Sequence, residues 1–115
     1  MKPMTAPSSP EISIIVPVYN ESPNLTPLSQ GIVRVLRGMG RSFELILVDD
    51  GSIDDSPQRL RQIKETIPEV RILFLRRNFG QSAAMTAGFD HARGPIVVTM
   101  DGDLQDDPSE FKRFM

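Results

Sequence analysis

Apolar residues along this chain fall into two alternating rhythms. Ile12, Ile14, Ile15, Val16 and Val18 form a β-branched run of strand length, and its near-continuous apolarity predicts a strand buried on both faces. Pro17 stands near its end, and a strand accepts proline only at an edge, a bulge or a terminus. Residues 19–24, Tyr-Asn-Glu-Ser-Pro-Asn, are rich in turn formers and read as a loop. Thr26-Pro27 then has the form of an N-cap followed by proline at the first helical position. Leu28, Ile32, Val35, Leu36 and Met39 follow at helical spacing, with Gly31 a weak point inside and Gly38 and Gly40 as the stop.

The cycle then repeats. Residues 43–48 predict a second strand that ends in Asp49-Asp50-Gly51-Ser52. Ser56-Pro57 opens a second helix, Leu60, Ile63 and Ile67 mark its inner face, and Pro68 stops it. Val70, Ile72, Leu73, Phe74 and Leu75 make a third strand, followed by Arg76-Arg77-Asn78-Phe79-Gly80. Residues 81–92 read as a third helix, in which the small residues Ala83, Ala84, Ala87 and Gly88 allow close approach to a sheet. After Gly94, residues 95–100 predict a fourth buried strand, and Pro108 sets the start of one more helix. Phe43, Phe74, Phe79 and Phe89 are expected in the core or at its edge.

Strands alternating with helices at this spacing predict an α/β fold: three layers around a mostly parallel, Rossmann-like sheet of expected order 3-2-1-4. Right-handed crossovers bring every strand-to-helix loop to one edge of such a sheet. Ligands bind there, at the point where strand order reverses. An order 3-2-1-4 puts that point between the first and fourth strands, so the Tyr19 loop and the loop beginning at Asp101 would flank one crevice.

Composition narrows this picture. A chain of 115 residues supports one modest core, here residues 11–115, preceded by a Pro/Ser/Thr-rich tail over residues 1–10. The tail lacks the apolar segment of a signal peptide. A net charge of −2 leaves no electrostatic footprint for nucleic acid. The absence of cysteine excludes a disulfide framework and a thiolate metal site, and it is compatible with a cytoplasmic location. No apolar run approaches the roughly 20 residues that span a bilayer.

The candidate chemistry sits in the loops. Asp101-Gly102-Asp103-Leu104-Gln105-Asp106-Asp107 gathers four carboxylates in seven residues. Two unit charges about 4 Å apart repel by roughly 4 kcal/mol at an effective dielectric near 20. A hard divalent cation with oxygen ligands would relieve that repulsion, whereas the plain structural alternative is a solvated acidic turn capping a helix. Asp49-Asp50-Gly51-Ser52 is either an Asx-type turn with glycine in a left-handed position, or a carboxylate that accepts from a base imide or a ribose hydroxyl. One of Arg76 and Arg77 is expected in solvent and the other opposite phosphate charge, helped by the exposed amides of the helix that starts at Gln81. His91, the single histidine, reads as a solvated residue favoured by a helix C-terminus. Neither G-x-G-x-x-G nor G-x-x-x-x-G-K-[ST] occurs, which argues against dinucleotide oxidoreductases and P-loop proteins.

Taken in order, Ile14-Ile15-Val16-Pro17-Val18-Tyr19-Asn20-Glu21, Val48-Asp49-Asp50-Gly51-Ser52, Arg77-Asn78-Phe79-Gly80 and Asp101-Gly102-Asp103-Leu104-Gln105 resemble the inverting family-two glycosyltransferases. The last two segments resemble the polyprenyl-phosphate and dolichyl-phosphate sugar transferases. The resemblance implies a nucleotide-sugar donor site. In it Pro17, Tyr19 and Glu21 line the base and ribose pocket, Asp50 reads the base edge with Asp49 beside it, and Arg77, Asn78 and Gln81 lie near the nucleotide. Gln81 stands where relatives often carry a basic residue. Asp101 would contact the ribose or stand behind the metal ligands, while Asp103 and Gln105 would hold Mg²⁺ or Mn²⁺ against the diphosphate, Asp103 serving catalysis through the metal. No catalytic base is located in the chain.

The implied reaction carries a sugar from a UDP- or GDP-linked donor to a polyprenyl phosphate with inversion, at the cytoplasmic face of a membrane and in service of the cell envelope. The chain is expected to be the donor-binding part only, truncated on its C-terminal side, inactive alone and able to self-associate through the truncated sheet. Two other classes stay open from the residues themselves. One is a nucleotidyltransferase, although no Gly-rich basic loop follows the first strand. The other is a receiver-like Mg-binding or interaction domain, although Lys2, Lys64 and Lys112 all fall away from predicted strand tips.

Overall fold

The computed structural model describes residues 9–100. The acidic stretch from Asp101, the helix expected at Pro108 and most of the N-terminal tail lie outside the described residues. The elements run β1 (Ile12–Val18), α1 (Ser22–Gly38), β2 (Phe43–Asp49), α2 (Ser56–Thr66), β3 (Val70–Phe74), α3 (Gln81–His91) and β4 (Ile96–Thr99). The four strands form one parallel sheet in the order β3-β2-β1-β4, as expected. Helices cover both faces, giving three layers.

The alternation of the strands divides the core in two. Ile12, Ile14, Val16 and Val18 of β1, with Leu45 and Leu47 of β2, face α1 and α2 and join Leu25, Leu28, Ile32, Leu36, Leu60 and Ile63. Ile15, Ile46 and Val48 face α3 and meet Ala84. Full burial of a Val, Leu or Ile side chain contributes about 1.5–3 kcal/mol, so the first face holds most of the stabilisation. The α3 face is thinner and depends on close approach. A Cβ on Gly88 would stand 2.4 Å from Ile15 Cγ2, so glycine lets α3 lie directly on β1. Ala84 shares that face, whereas Ala83 is exposed.

Pro17 occupies a central strand, and alternation explains how. The Ile15 carbonyl accepts from Met100 N–H on the β4 side, and the Val18 carbonyl accepts from Asp50 N–H on the β2 side. Position 17 therefore faces the β4 side, one step past the last described pairing at Ile15–Thr99, so its missing N–H forfeits only the rung at the end of the described ladder.

Three expectations need correction. First, α1 begins at Ser22, not after Thr26. Ser22-Pro23 already supplies proline in the first turn, and the Ser22 amide is received by Asp54 Oδ2 at 3.4 Å. Pro27 lies inside the helix, where the one bond it forfeits is to the Pro23 carbonyl, and both prolines are exposed to water. Second, β4 is not buried on both faces: Ile96 and Val97 are 40% and 37% exposed. It is the sheet edge among the described residues, and α3 packs on β1 and β2 rather than over it. Third, only Phe43 belongs to the core. Phe74, Phe79 and Phe89 are exposed, and two of them carry arginine guanidinium groups on their rings.

The amino-terminal edge of the sheet holds a feature that no sequence motif announced. Glu44, the second residue of β2 and on the same face as Ile46 and Val48, is 1% exposed. Its carboxylate accepts from Ser13 Oγ at 2.6 Å, Arg71 Nη1 at 2.6 Å and the Arg93 backbone N–H at 2.7 Å. Arg93 Nε and Nη2 add two contacts at 3.1 Å. Ser13 Oγ in turn accepts from Gly94 N–H at 2.9 Å, and Arg71 Nη1 also donates to the His91 carbonyl at 2.8 Å. Burial pushes the Glu44 carboxyl up, but the hydrogen bonds from Ser13, Arg93 and Arg71 outweigh it and hold its pKa below the ordinary value. The network ties the turn between α3 and β4 to the foot of the sheet.

Candidate functional site

At the opposite edge, the loops after β1, β2 and β3 are laced into one unit. Asn20 adopts a left-handed backbone with φ 52°, a conformation asparagine tolerates better than most residues. Its Oδ1 accepts from the Ile53 and Asp54 amides at 2.9 and 3.3 Å, and its own amide donates to Ser52 Oγ at 2.9 Å. Asp54 Oδ1 accepts from the Ser56 amide at 2.9 Å, so one carboxylate serves the first turns of α1 and α2 together. Partial burial raises the Asp54 pKa, but hydrogen bonds from Ser56 and the Ser22 amide prevail and set it below the ordinary value.

The two aspartates at the tip of β2 divide the work. Asp50, 4% exposed, accepts from the Phe79 amide at 2.8 Å, the Gly80 amide at 3.0 Å and Asn78 Nδ2 at 3.1 Å. Both of its oxygens are committed to the loop that leads into α3. Gly51 completes that junction. Its φ is +72°, and a Cβ there would lie 2.2 Å from the Arg77 carbonyl carbon, so only glycine fits. Asp49 is 3% exposed, and its Oδ1 accepts from the Ser52 amide at 3.2 Å, forming an Asx-type turn. Among the described residues Asp49 Oδ2 has no partner. That oxygen is not among the buried atoms left without a partner, so it is open on the cleft side, where a ligand N–H or O–H is its natural complement.

Asp49 lines a cleft of about 480 Å³ together with Tyr19, Arg61, Phe74, Arg76 and Arg77. Asn78, Pro57 and the 51–53 turn complete the walls. Arg77 stacks on the Phe79 ring at 4.8 Å and Arg61 on the Phe74 ring at 5.0 Å, which orients each guanidinium while leaving its in-plane N–H groups for other acceptors. The cleft thus offers a buried anionic acceptor, a tyrosine and three cationic donors. Such a set suits a molecule with an N–H at one end and negative charge at the other.

Of the residues expected at a donor site, Tyr19, Asp49, Arg77 and Asn78 line this cleft. Pro17 sits in the sheet beneath it, and Gln81 opens α3 beyond its wall. Glu21 is occupied locally, its Oε2 accepting from Asn24 Nδ2 at 2.9 Å. Asp50 stands behind the cleft, as the strut of the 78–80 loop. Arg76, expected with Arg77 to split between solvent and ligand, lines the cleft as Arg77 does. Arg61 and Phe74 were not foreseen. The helical position of Arg61, four residues after Pro57, and an aromatic at a strand's last residue were the available signals. His91 caps the end of α3, its Nδ1 donating to the Ala87 carbonyl at 2.9 Å, clear of the cleft. Asp101, Asp103 and Gln105 lie outside the described residues. Among the described residues no cluster of three His, Cys, Asp or Glu side chains could hold a metal, and no helix is long and apolar enough to cross a membrane.

The chain is similar to known proteins over most of its length. The chain is 41% identical over 106 residues to the undecaprenyl-phosphate 4-deoxy-4-formamido-L-arabinose transferase of Edwardsiella ictaluri, covering 90% of this chain and 32% of that protein. It is 45% identical over 102 residues to the dodecaprenyl-phosphate galacturonate synthase of Rhizobium johnstonii, covering 87% of this chain and 30% of the relative. Among solved structures, a mannosyltransferase of Pyrobaculum calidifontis in complex with GDP-Man and Mn²⁺ superimposes with a TM-score of 0.74 at 30% identity, over 89% of this chain and 31% of that one. The chain therefore spans about a third of the length of these relatives. The family model described as glycosyl transferase family 2 matches residues 13–115, nearly the whole sequence, and the nucleotidyltransferase and receiver-like readings give way to it. The chain belongs to glycosyl transferase family 2.

Proposed function

We propose that this chain is the donor-binding part of a metal-dependent inverting glycosyltransferase that carries a sugar from a nucleoside-diphosphate donor to a polyprenyl phosphate. The observation that carries the reading is Asp49: a 3% exposed carboxylate at a strand tip, with one oxygen left for a ligand donor, in a cleft ringed by arginines. The relatives named for polyprenyl-phosphate products and the GDP-Man complex of the mannosyltransferase support the two substrate classes. Lipid-phosphate acceptors also support a working position at the cytoplasmic face of a membrane.

In this reading Asp49 rather than Asp50 takes the N–H of the base, because Asp50 has no oxygen to spare. Tyr19 covers the base and ribose. Arg76 and Arg77 face the developing charge of the diphosphate, a placement that favours the transition state over the neutral ground state of the glycosidic bond. Asp101 follows Met100, whose amide donates to the Ile15 carbonyl midway along β1. Asp103 and Gln105 supply the hard oxygen ligands that suit Mg²⁺ or Mn²⁺, which when bound would neutralise the leaving diphosphate. An acceptor phosphate oxygen forms the new bond to the anomeric carbon as the bond to the diphosphate breaks on the opposite side.

Thermal shift of the chain with UDP, GDP or ATP, each with and without Mn²⁺, tests the reading. Stabilisation by UDP or GDP that requires metal and is lost in Asp49→Ala and in Asp103→Ala is expected. A wild-type chain that responds to no nucleotide would refute it. The exposed Ile96 and Val97 at the β4 edge further support self-association of the chain, which sedimentation over a concentration series would detect.

A further inference from the structure

Two walls of the cleft stand without apolar anchors. Ile53, in the turn after β2, is 86% exposed, and Tyr19, next to the end of β1, is 42% exposed. Both line the cleft, so something other than the core must hold them there. Asn20 lies between them. Among the described residues it is the one non-glycine residue with positive φ, 52°. Its Oδ1 accepts from the Ile53 and Asp54 amides at 2.9 and 3.3 Å, and its amide donates to Ser52 Oγ at 2.9 Å. The turn it grips is tied on its other sides as well. The Ser52 amide donates to Asp49 Oδ1, and the Asp54 carboxylate accepts from the Ser22 and Ser56 amides. Sparsely populated backbone conformations persist where their surroundings over-determine them, and they cluster at functional sites.

We infer that Asn20 is a positioning residue of the cleft: it latches the Tyr19 wall to the 51–53 wall and so orders the site before a ligand arrives. For its ligand the inference rests on the nucleotide-sugar reading proposed above. Two mobile walls would have to be fixed at the moment of binding, and each side chain ordered then subtracts from affinity. A latch made of hydrogen bonds settles that cost during folding. Asparagine meets both demands of the position. Its side-chain carbonyl has two lone pairs for two amides, and its backbone tolerates the left-handed region. Aspartate meets both demands too. Glycine accepts the backbone but has no acceptor to offer, and alanine meets neither. Because Asp54 also serves the first turns of α1 and α2, the latch sets Tyr19 relative to both helices, which rest on the main core.

The chain has one tyrosine and no tryptophan, so its tyrosine fluorescence reports on Tyr19 alone. The test is the anisotropy of that emission in the free chain, paired with calorimetric titration of UDP and GDP in Mn²⁺. Each variant is measured well below its own unfolding midpoint. Asn20→Gly should lower the anisotropy and weaken the preferred nucleotide by about tenfold. Asn20→Asp should keep the wild-type anisotropy and bind within about threefold of the wild type. Ser52→Ala removes one strand of the latch without touching the Tyr19–Asn20 backbone, and it should shift both readings part of the way. Arg37→Ala, at the other end of α1, should shift neither. Wild-type anisotropy or affinity in Asn20→Gly would overturn the inference and leave the nucleotide-sugar reading standing. So would a loss in Asn20→Gly with Ser52→Ala unchanged, since the effect would then belong to the freedom of glycine itself. A wild-type chain that binds neither nucleotide would bring down both.

Discussion

Strand β2 carries a buried carboxylate at each end, and the structure treats the two in opposite ways. Glu44, near the amino-terminal edge, is 1% exposed and receives five donor contacts from Ser13, Arg71 and Arg93. Asp49, at the carboxyl-terminal edge, is 3% exposed and receives a single amide among the described residues. Burial of a charge is expensive at both positions, so burial alone does not separate architecture from function. The number of partners does. Where the protein answers every lone pair, the group holds the fold together. Where it leaves one open beside a cleft, the answer is expected from a ligand. Asp50, one residue further along, follows the same rule from the other side: it sits at the edge that carries the cleft, yet both of its oxygens are used by the 78–80 loop.

The largest effect should come from the satisfied acid. Glu44→Ala leaves Arg71 and Arg93 facing an emptied pocket and should cost about 3–5 kcal/mol in urea denaturation. The same group predicts a pH dependence. Its folded-state pKa lies below the ordinary carboxyl value, so its contribution is fully present above about pH 4.3 and disappears as pH falls through the folded value. Wild-type stability should therefore drop on acidification more steeply than that of Glu44→Gln. Asp50→Ala comes next. It strands the Phe79 and Gly80 amides, costs about 1–3 kcal/mol, and should weaken nucleotide binding indirectly by releasing Arg77. Asp49→Ala should reverse the pattern, changing stability by about 1 kcal/mol or less while reducing nucleotide affinity more than tenfold. An Asp49→Ala chain as unstable as Glu44→Ala would break the distinction between the two ends.

The fold was legible because each element repeats one physical signal. Runs of β-branched residues and proline-led helix starts fixed the order of elements, and parallel pairing with right-handed crossovers left few arrangements for the sheet. The errors are equally local. Ser22-Pro23 and Thr26-Pro27 offer the same start signal four residues apart, and only the contact with Asp54, 32 residues away, decides between them. The β4 segment reads as buried because its residues are apolar, but apolarity does not say whether a neighbour exists to cover them. At the site, Tyr19, Asp49, Arg77 and Asn78 could be read from loop chemistry. The division of labour between Asp49 and Asp50 could not, since it depends on which carboxylate the 78–80 amides reach. Glu44 and Arg61 were hidden for the same reason: a glutamate in a strand and an arginine on a helix look like solvated residues until the tertiary structure supplies their partners.

The smallest effect separates burial from geometry as the source of the Glu44 contribution. Glu69 is gripped by Arg37 in a fork, Nε to Oε2 at 2.9 Å and Nη2 to Oε1 at 2.8 Å, so its hydrogen bonds are as good as those of Glu44. The hydrogen bond from Arg37 is the main influence on the Glu69 carboxyl and, against the opposing effect of burial, keeps its pKa below the ordinary value. The Arg37 side chain, however, is 54% exposed. Water competes for both groups and salt screens them, so Arg37→Ala should cost less than about 1 kcal/mol, and less again at high ionic strength. Should Arg37→Ala prove as damaging as Glu44→Ala and insensitive to salt, fork geometry rather than exclusion of water would be what gives a carboxylate its structural weight in this sheet. The unpartnered oxygen of Asp49 would then no longer mark it as the group reserved for ligand.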